Sequence, residues 1–305
     1  MRLKDKVALL IGCSPNIGRS IARIFAKEGA SVVVDDIKEK EGKETVSIIE
    51  KAGGKAVFIS ADISTSKGLR DAVSCTIDNF GKVDIFVSLA NTLQGHSVAE
   101  FNRSTAELCY AVNVLALIEG AHYCLPHMQK AGGGSIIAVS SIQGVRGTGG
   151  NPGYAAAKAG LTGAAQTMAV ELWQHKIRIN VIYPSGVGGP TWDVIDQLGW
   201  DYLQEFDEKF GAEMRHLPLI VGIDPIALGY AALFLASDES NYITGVTLPV
   251  DAGTSIMHYD VYKGFPPCET PERKNEYQRE LYKEYKEWIE EKKSEINKEL
   301  VKLGE

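Results

Sequence analysis

The chain has 305 residues, of which 45% are hydrophobic and 23% charged, a composition typical of a globular protein and not of a disordered one. Its 32 basic and 39 acidic residues give a net charge of −7, so it lacks the basic surplus that binding to nucleic acid or to an anionic membrane surface requires. We find no signal peptide, no apolar run near the roughly 18 residues of a membrane span, and no Cys-x-x-Cys pair among the five cysteines, which together predict a cytoplasmic protein.

Short apolar runs alternate with helical patterns from the first residues onward. Residues 7–11 predict a parallel strand buried on both faces, and the apolar spacing over 17–28 predicts the helix that follows. Further strands are predicted over 31–34, 55–60, 84–88, 135–140, 178–183 and 247–250. Further helices are predicted over 38–52, 66–80, 101–130 and 153–174, and another begins at Asp224-Pro225. This alternation predicts an α/β fold, a doubly wound parallel sheet (Rossmann fold) with helices on both faces.

Two stretches break this alternation. Residues 185–220 follow a strand without an immediate helix and are rich in aromatic side chains. Residues 271–305 carry apolar side chains at spacings of three, four or seven, which predicts an amphipathic helix. We therefore predict one Rossmann-fold domain over residues 1–254 and a charged helical extension over residues 255–305.

A glycine-containing loop, Gly12-Cys-Ser-Pro-Asn-Ile-Gly18, lies between the first strand and the first helix. Such a loop directs backbone N–H groups and the positive end of a helix dipole outward, which suits a pyrophosphate. Asp36 closes the second strand, where a carboxylate accepts both ribose hydroxyls of NAD and repels the 2′-phosphate of NADP. With no Arg or Lys in the loop or just after Asp36, the residues favour NAD over NADP. An ordinary turn with a solvated aspartate is the alternative.

A serine, a tyrosine and a lysine have a spacing that suits acid–base chemistry. Ser141 ends the fifth strand, Tyr154 follows 13 positions later, and Lys158 lies one helical turn beyond Tyr154. Positions i and i+4 share a helix face, so Tyr154 and Lys158 are expected to project together. An ammonium near a phenol lowers the pKa of the phenol, which predicts that Tyr154 is a general acid or base. The alternative, a solvated Tyr–Lys pair, leaves Ser141 and the glycine loop unexplained.

Over about residues 4–254 these motifs resemble the classical short-chain dehydrogenase/reductases. The matching positions are Gly12 to Gly18, Asp36, Asp62, Asn113, Ser140-Ser141-Ile142, Tyr154-Ala-Ala-Ala-Lys158, Arg178-Ile-Asn-Val181, Pro184, Tyr242-Ile-Thr-Gly-Val246 and Val250-Asp251. The resemblance implies an NAD(P)-dependent enzyme that interconverts a secondary alcohol and a ketone. It also implies a homo-oligomer, a tetramer or a dimer, with the helices at 101–130 and 153–174 at one interface.

The resemblance further implies roles for single residues. Tyr154 is the acid/base, and Lys158 holds the nicotinamide ribose and tunes Tyr154. Ser141 hydrogen-bonds the substrate oxygen, and Asn113 positions a water behind Lys158. Asp62 and Ile63 contact the adenine, and Val187 contacts the carboxamide. The full set of expected cofactor-binding residues is Gly12, Ser14, Asn16, Ile17, Gly18, Asp36, Ile37, Asp62, Ile63, Ala90, Asn91, Tyr154, Lys158, Pro184 and Val187.

The sequence departs from the family's pattern at three places. The middle glycine of the loop is Asn16, which tolerates a positive φ better than most residues, so the turn is expected to survive. The Asn-Asn-Ala-Gly after the fourth strand reads Ser88-Leu89-Ala90-Asn91. The threonine expected after Pro184 is Gly189, and Thr191 follows two positions later. Because the catalytic tetrad Asn113, Ser141, Tyr154 and Lys158 is intact, we expect an active enzyme.

The segment from about 185 to 220 occupies the place of the family's substrate loop. Its aromatic side chains suit a bulky hydrophobic alcohol, alicyclic, aromatic or steroid-like, and Gln94, Gln143 and Trp192 are candidate substrate contacts. Packing of the loop or of the tail explains the aromatic side chains equally well. The tail either caps the cleft, clasps a neighbouring subunit or binds a partner.

Two other functions compete with an NAD-dependent dehydrogenase. One is a 3-oxoacyl-carrier-protein reductase, which would use NADPH and a basic patch, and Asp36 with the acidic composition argues against it. The other is a dinucleotide-sensing protein without turnover, which the intact tetrad argues against. No metal site is expected, because His122, Cys124 and His127 do not share one helix face.

Overall fold

The structure is a computed structural model that describes residues 1–13, 16–92, 97–147, 150–188, 194, 197–198, 202–211, 223–256 and 276–303. Within these residues a seven-stranded parallel sheet forms with the order β3-β2-β1-β4-β5-β6-β7. The strands are β1 (Val7–Ile11), β2 (Ser31–Asp35), β3 (Lys55–Ile59), β4 (Ile85–Ser88), β5 (Gly134–Val139), β6 (Ile177–Pro184) and β7 (Thr247–Val250). The doubly wound parallel sheet predicted from the alternation is confirmed.

Apart from α7, which the sequence did not predict, the helices lie at the predicted positions, with ends that shift by a few residues. They are α1 (Ile17–Lys27), α2 (Glu39–Lys51), α3 (Ser66–Phe80), α4 (Arg103–Tyr110), α5 (Ala116–Ala131), α6 (Pro152–Leu172), α7 (Leu203–Phe206), α8 (Pro225–Ala236) and α9 (Glu276–Leu303). The single helix predicted over 101–130 is interrupted by a π-helical turn at Ala111–Leu115. This turn separates α4 from α5.

The order of the strands indicates which edge of the sheet binds ligands. The chain winds outward from β1 to β3 and then returns to β4 on the other side of β1. In open α/β sheets, ligands bind at such a reversal, outside the carboxyl ends of the strands. The loops after β1, β4 and β5 therefore meet at one edge. Every residue of β1 is buried, as expected for a central strand covered by helices on both faces.

The stretch Arg103–Ala131 corrects one expectation from the sequence. By length and composition these 29 residues could cross a membrane, although we predicted no such segment. In the structure 44% of its most apolar 18-residue stretch is buried in the protein. Leu117, Ala121, Cys124 and Met128 belong to the main hydrophobic core. An apolar helix that packs against a sheet passes the same composition test as a membrane span.

The chain divides into two compact units. The first comprises Met1–Ser185 and Ile226–Asp251, and the second comprises Gly186–Pro225 and Ala252–Glu305. The sequence-based division placed residues 185–220 in the first domain, whereas the structure groups almost all of that segment with the tail. The reason is packing within the second unit, where a cluster joins Val194, Leu198, Phe206 and Phe210 to Tyr285, Trp288 and Ile289 of α9.

Candidate active site

The loop after β1 is held close to the end of β4 by a glycine. Gly12 has φ of 68°, and a Cβ there would lie 2.4 Å from the Cα of Ala90. Gly18, in the first turn of α1, is packed almost as closely, because a Cβ there would lie 2.7 Å from the Cα of Cys13. The glycines thus serve close backbone packing that brings the start of α1 to the edge of the sheet.

The start of α1 is suited to an anion. Asn16 occupies the N-cap position, yet its side chain makes no capping bond, and its buried Oδ1 atom has no hydrogen-bond partner among the described residues. The first turn of α1 carries no acidic residue. Asn16 has φ of −88°, so the turn does not use a positive φ at this position. The helix retains unused N–H groups and the positive end of its dipole. Ile17 is the first residue of α1, and Ser14 lies outside the described residues.

Two adjacent aspartates end β2. Asp36 is 5% exposed, and its Oδ1 accepts the Lys38 backbone N–H at 2.9 Å. Asp35 is fully buried, and its Oδ1 accepts the Ala61 N–H at 3.0 Å. Burial raises the pKa of both carboxyls, that of Asp35 to about 8. Sequence reasoning missed Asp35, although its place directly before Asp36 in a buried strand was a usable signal.

The expected adenine contacts lie on the loop after β3. Ile63 is buried, and Asp62 is exposed with its Oδ1 accepting both the N–H and the hydroxyl of Ser64, at 3.0 and 2.7 Å. Ile37, after Asp36, is 69% exposed. The loop after β3 lies beside Asp36 because β2 and β3 are paired up to Asp35 and Ile59.

Tyr154 and Lys158 lie in the first two turns of α6, and both are buried. Pro152 opens the helix, and Asn151 caps it by accepting the Tyr154 backbone N–H at 3.1 Å. The Lys158 ammonium donates to the Val139 carbonyl at 2.8 Å and lies 5.6 Å from the centre of the Tyr154 ring. The i, i+4 spacing therefore brings the two side chains to one face, as predicted.

Burial, not the lysine, dominates the acidity of Tyr154. Desolvation raises the pKa of Tyr154, and hydrogen bonds with the side chains of Ser141 and Asn91 lower it in part. Burial also lowers the pKa of Lys158 to about 7. Our expectation that Lys158 lowers the tyrosine pKa is therefore wrong for this structure, because the same low-dielectric surroundings disfavour the charged form of both groups.

Ser141 lies at the carboxyl edge of the sheet, where the sequence predicted it. Its Oγ accepts the Gln143 N–H at 3.2 Å and opens a short 3₁₀ turn over Ile142–Gly144. Gln143 is half-buried in that turn. Gly144 packs against α6, where a Cβ would lie 2.9 Å from the backbone carbon of Lys158. This contact holds the serine loop against the helix that carries Tyr154.

Asn113 is buried in the π turn between α4 and α5. Its amide donates to the Cys109 carbonyl at 2.8 Å, and its Oδ1 has no hydrogen-bond partner among the described residues. A π turn widens the helix by one residue, and such turns often occur at functional sites. An unused buried oxygen in a widened helix suits the water-positioning role that the sequence resemblance implies.

The remaining predicted residues are distributed as follows. Ala90 is buried against Gly12, and Asn91 is exposed at the end of β4. Pro184 is buried at the end of β6, paired with Val250 of β7. Val187 lies in the second unit and forms an isolated bridge with Ile223. Outside the described residues lie Gln94, Trp192, Gly189 and Thr191.

Comparisons with known proteins show which family the chain belongs to. The sequence profile of a family described as Enoyl-(Acyl carrier protein) reductase matches residues 12–255. The 2,5-dichloro-2,5-cyclohexadiene-1,4-diol dehydrogenase LinX of Sphingobium indicum is 34% identical over 255 residues, which are 84% of this chain and 98% of LinX. The chain belongs to the short-chain dehydrogenase/reductase family. The matched region ends before α9.

Two further relatives show the range of the family. The solved structure of 7α-hydroxysteroid dehydrogenase with NADH and 7-oxo glycochenodeoxycholic acid has 30% sequence identity and a TM-score of 0.71, covering 83% of this chain and 95% of that one. The 3-oxoacyl-[acyl-carrier-protein] reductase FabG of Thermotoga maritima is 28% identical over 256 residues, 84% of this chain and all of FabG. This short-chain dehydrogenase/reductase is an oxidoreductase that interconverts a secondary alcohol and a ketone with a nicotinamide dinucleotide.

Proposed function

We propose that the protein is a cytoplasmic, NAD-dependent dehydrogenase of a bulky hydrophobic secondary alcohol, with Tyr154 as the acid/base. The observation that carries the cofactor choice is the carboxylate of Asp36 at the end of β2, beside the glycine loop. A carboxylate in this place accepts the ribose hydroxyls of NAD and repels an added phosphate. The uncapped start of α1 would hold the pyrophosphate, and the loop of Asp62 and Ile63 would hold the adenine.

The roles of the protein groups follow from their places around Tyr154. When bound, a nicotinamide dinucleotide supplies or accepts the hydride. In the oxidation direction the phenolate oxygen of Tyr154 takes the hydroxyl proton of the alcohol, and in reduction it returns that proton. Ser141 hydrogen-bonds Tyr154 and holds the same substrate oxygen. Lys158, anchored on the Val139 carbonyl, would hold the nicotinamide ribose.

The substrate class rests on relatives and not on the aromatic residues of the substrate segment. Phe206 and Phe210 are buried against Tyr285 and Trp288 of α9, so they serve packing. The similar proteins include a 2,5-dichloro-2,5-cyclohexadiene-1,4-diol dehydrogenase and a 7α-hydroxysteroid dehydrogenase, and both names denote dehydrogenases of cyclic alcohols. We therefore propose an alicyclic or steroid-like alcohol for this chain.

A carrier-protein reductase is the second candidate, favoured by the similarity to FabG and by the description of the matching family. It would act on an acidic carrier protein with NADPH. The net charge of −7 and the carboxylate of Asp36 both oppose that pairing.

Exposed apolar side chains support a homo-oligomer. On and between α4 and α5, Leu108, Tyr110, Leu115 and Ile118 are 38–49% exposed. A second group comprises Val170 on α6, Trp173 directly after α6 and Tyr242 near β7, each at least 69% exposed. Exposed apolar side chains on these helices suit burial against further copies of the chain, in a tetramer or a dimer.

The cofactor proposal is tested by fluorescence titration of the purified chain with NADH and with NADPH. We expect NADH to bind at least about tenfold more tightly, which corresponds to about 1.4 kcal/mol. In the Asp36→Ala variant the preference shrinks, and in the matched Asp78→Ala variant, at an exposed site on α3, it does not change. Tighter binding of NADPH by the unaltered chain overturns the proposal.

Turnover of cyclic secondary alcohols with NAD⁺, compared with 3-oxoacyl thioesters and NADPH, then tests the substrate class.

A further inference from the structure

Asn91 occupies a special position at the functional edge of the sheet. Strands β4 and β5 are neighbours, and their register pairs Ser88 with Ala138. Asn91 and Ser141 each lie three residues beyond that pair, so the two strand ends carry them to the same place. In the family's pattern the position of Asn91 is a glycine, which offers no side chain.

The backbone around Asn91 is firmly held. The Leu89 N–H donates to the Ile11 carbonyl at 3.0 Å, and Ala90 packs so closely on Gly12 that a Cβ on Gly12 would lie 2.4 Å from its Cα. The Cys109 thiol contacts the carbonyl of Thr92 at 3.6 Å on the other side of Asn91. The strand end therefore presents Asn91 from a rigid base.

The side chain of Asn91 hydrogen-bonds the side chain of Tyr154, as Ser141 does. We propose that Asn91 is an additional catalytic residue, whose amide N–H donates to the phenolic oxygen of Tyr154 and stabilises its phenolate form. The inference rests on the proposed function, because it needs Tyr154 as the acid/base. No bond to Asn91 is made or broken, since the proton passes between the substrate oxygen and the Tyr154 oxygen.

The titratable groups around Tyr154 explain why an uncharged hydrogen-bond donor would help to stabilise its phenolate. Among the described residues, the titratable neighbours that face Tyr154 are Cys109 from α4 and Lys158 from its own helix. Burial raises the pKa of the Cys109 thiol, which is thus uncharged near neutrality. Lys158 is only partly protonated there, because burial lowers its pKa to about 7. A hydrogen bond from an amide stabilises the phenolate at any pH, independently of the lysine charge.

The test compares Asn91→Ala and Asn91→Ser with a matched Asn79→Ala variant at an exposed site on α3. In alcohol oxidation kcat/KM rises with pH as Tyr154 ionises. For Asn91→Ala we expect this rise to shift upward by about one pH unit, so that kcat/KM below the midpoint falls about tenfold. Asn91→Ser keeps a short donor and should restore part of the loss. Asn79→Ala should behave like the unaltered protein.

A second readout needs no substrate. The phenolate absorbance of Tyr154, isolated as the difference between each protein and the same protein with Tyr154→Phe, should titrate at higher pH in Asn91→Ala. The thermal unfolding midpoint should stay unchanged, which separates the effect from misfolding of the loop. Unchanged midpoints in both titrations overturn the inference. A shifted absorbance midpoint in a protein that oxidises no alcohol would support the Asn91 contact and contradict the proposed function instead.

Discussion

Trp288 of α9 donates its indole N–H to the Glu205 carboxylate at 3.2 Å, between residues 83 positions apart in the chain. Lys292, one turn further along α9, pairs with the same carboxylate at 3.1 Å. Trp288 itself is 3% exposed and packs on Phe206 and Phe210. The tail is thus a structural part of the second unit, in which α9 packs against the segment around α7.

We therefore predict that Trp288→Ala loosens the second unit. Truncation of a buried tryptophan costs about 3–5 kcal/mol, which is enough to open a small packed cluster. Hydrogen exchange of the backbone over residues 205–210 should become markedly faster, while exchange over β1 and β5 should not. Glu291→Ala, at an exposed site on the same helix, is the matched control. Equal exchange in Trp288→Ala and Glu291→Ala would contradict the packing role.

A second prediction concerns Gly12. Alanine at this position meets the Ala90 backbone at 2.4 Å and must adopt φ of 68°, so Gly12→Ala should lower the free energy of unfolding by about 1–3 kcal/mol and weaken NADH binding. Gly147→Ala is the control, because its Cβ meets nothing within 4 Å. That control should change stability by less than about 0.5 kcal/mol. Chemical denaturation and NADH titration of both variants measure the difference, and unimpaired Gly12→Ala protein would refute the close-packing argument.

Tyr154→Phe should abolish most activity and leave cofactor binding intact. Loss of a positioned acid/base typically costs a factor of about 10²–10⁴ in rate. Since phenylalanine keeps the ring packing in this buried site, the dissociation constant for NADH and the thermal unfolding midpoint should change little. Steady-state kinetics with an accepted alcohol and NAD⁺ provide the measurement. Full activity in this variant would remove Tyr154 from the mechanism.

Asp35 should make stability depend on pH. The pKa of its carboxyl is raised from 3.8 to about 8 in the folded protein, so between these values the folded state binds more protons than the unfolded state. The contribution of Asp35 to the free energy of unfolding is complete below about pH 4. It is lost as pH rises through 8, by up to about 1.4 kcal/mol per pH unit. Asp35→Asn should flatten this dependence.

The matched control for that experiment is Asp78→Asn, at an exposed site on α3. Denaturant unfolding at several values of pH from 5 to 7 suits the comparison, because Lys158, whose pKa is lowered to about 7, acts in the opposite sense above that pH. Parallel curves for Asp35→Asn and the unaltered protein would show that Asp35 is not the group that titrates.

Much of the fold follows from local patterns. Runs such as Val7–Ile11 and the spacing within 17–28 encode one strand and one helix each, because periodicity and end signals act over a few residues. The Gly12 loop, Asp36 and the Tyr154–Lys158 pair are predictable for the same reason. Each depends on short spacings within one element or on its place directly after a strand.

Contacts between residues far apart in the sequence depend on the tertiary structure. The pairing of β4 with β5 brings Asn91 beside Ser141, and packing in the second unit joins Phe206 to Trp288. Local periodicity carries no information on which distant face covers a side chain. The pKa of Tyr154 is likewise set by how completely the folded chain excludes water from it, since desolvation is a property of all the atoms around a group and not of its neighbours in sequence.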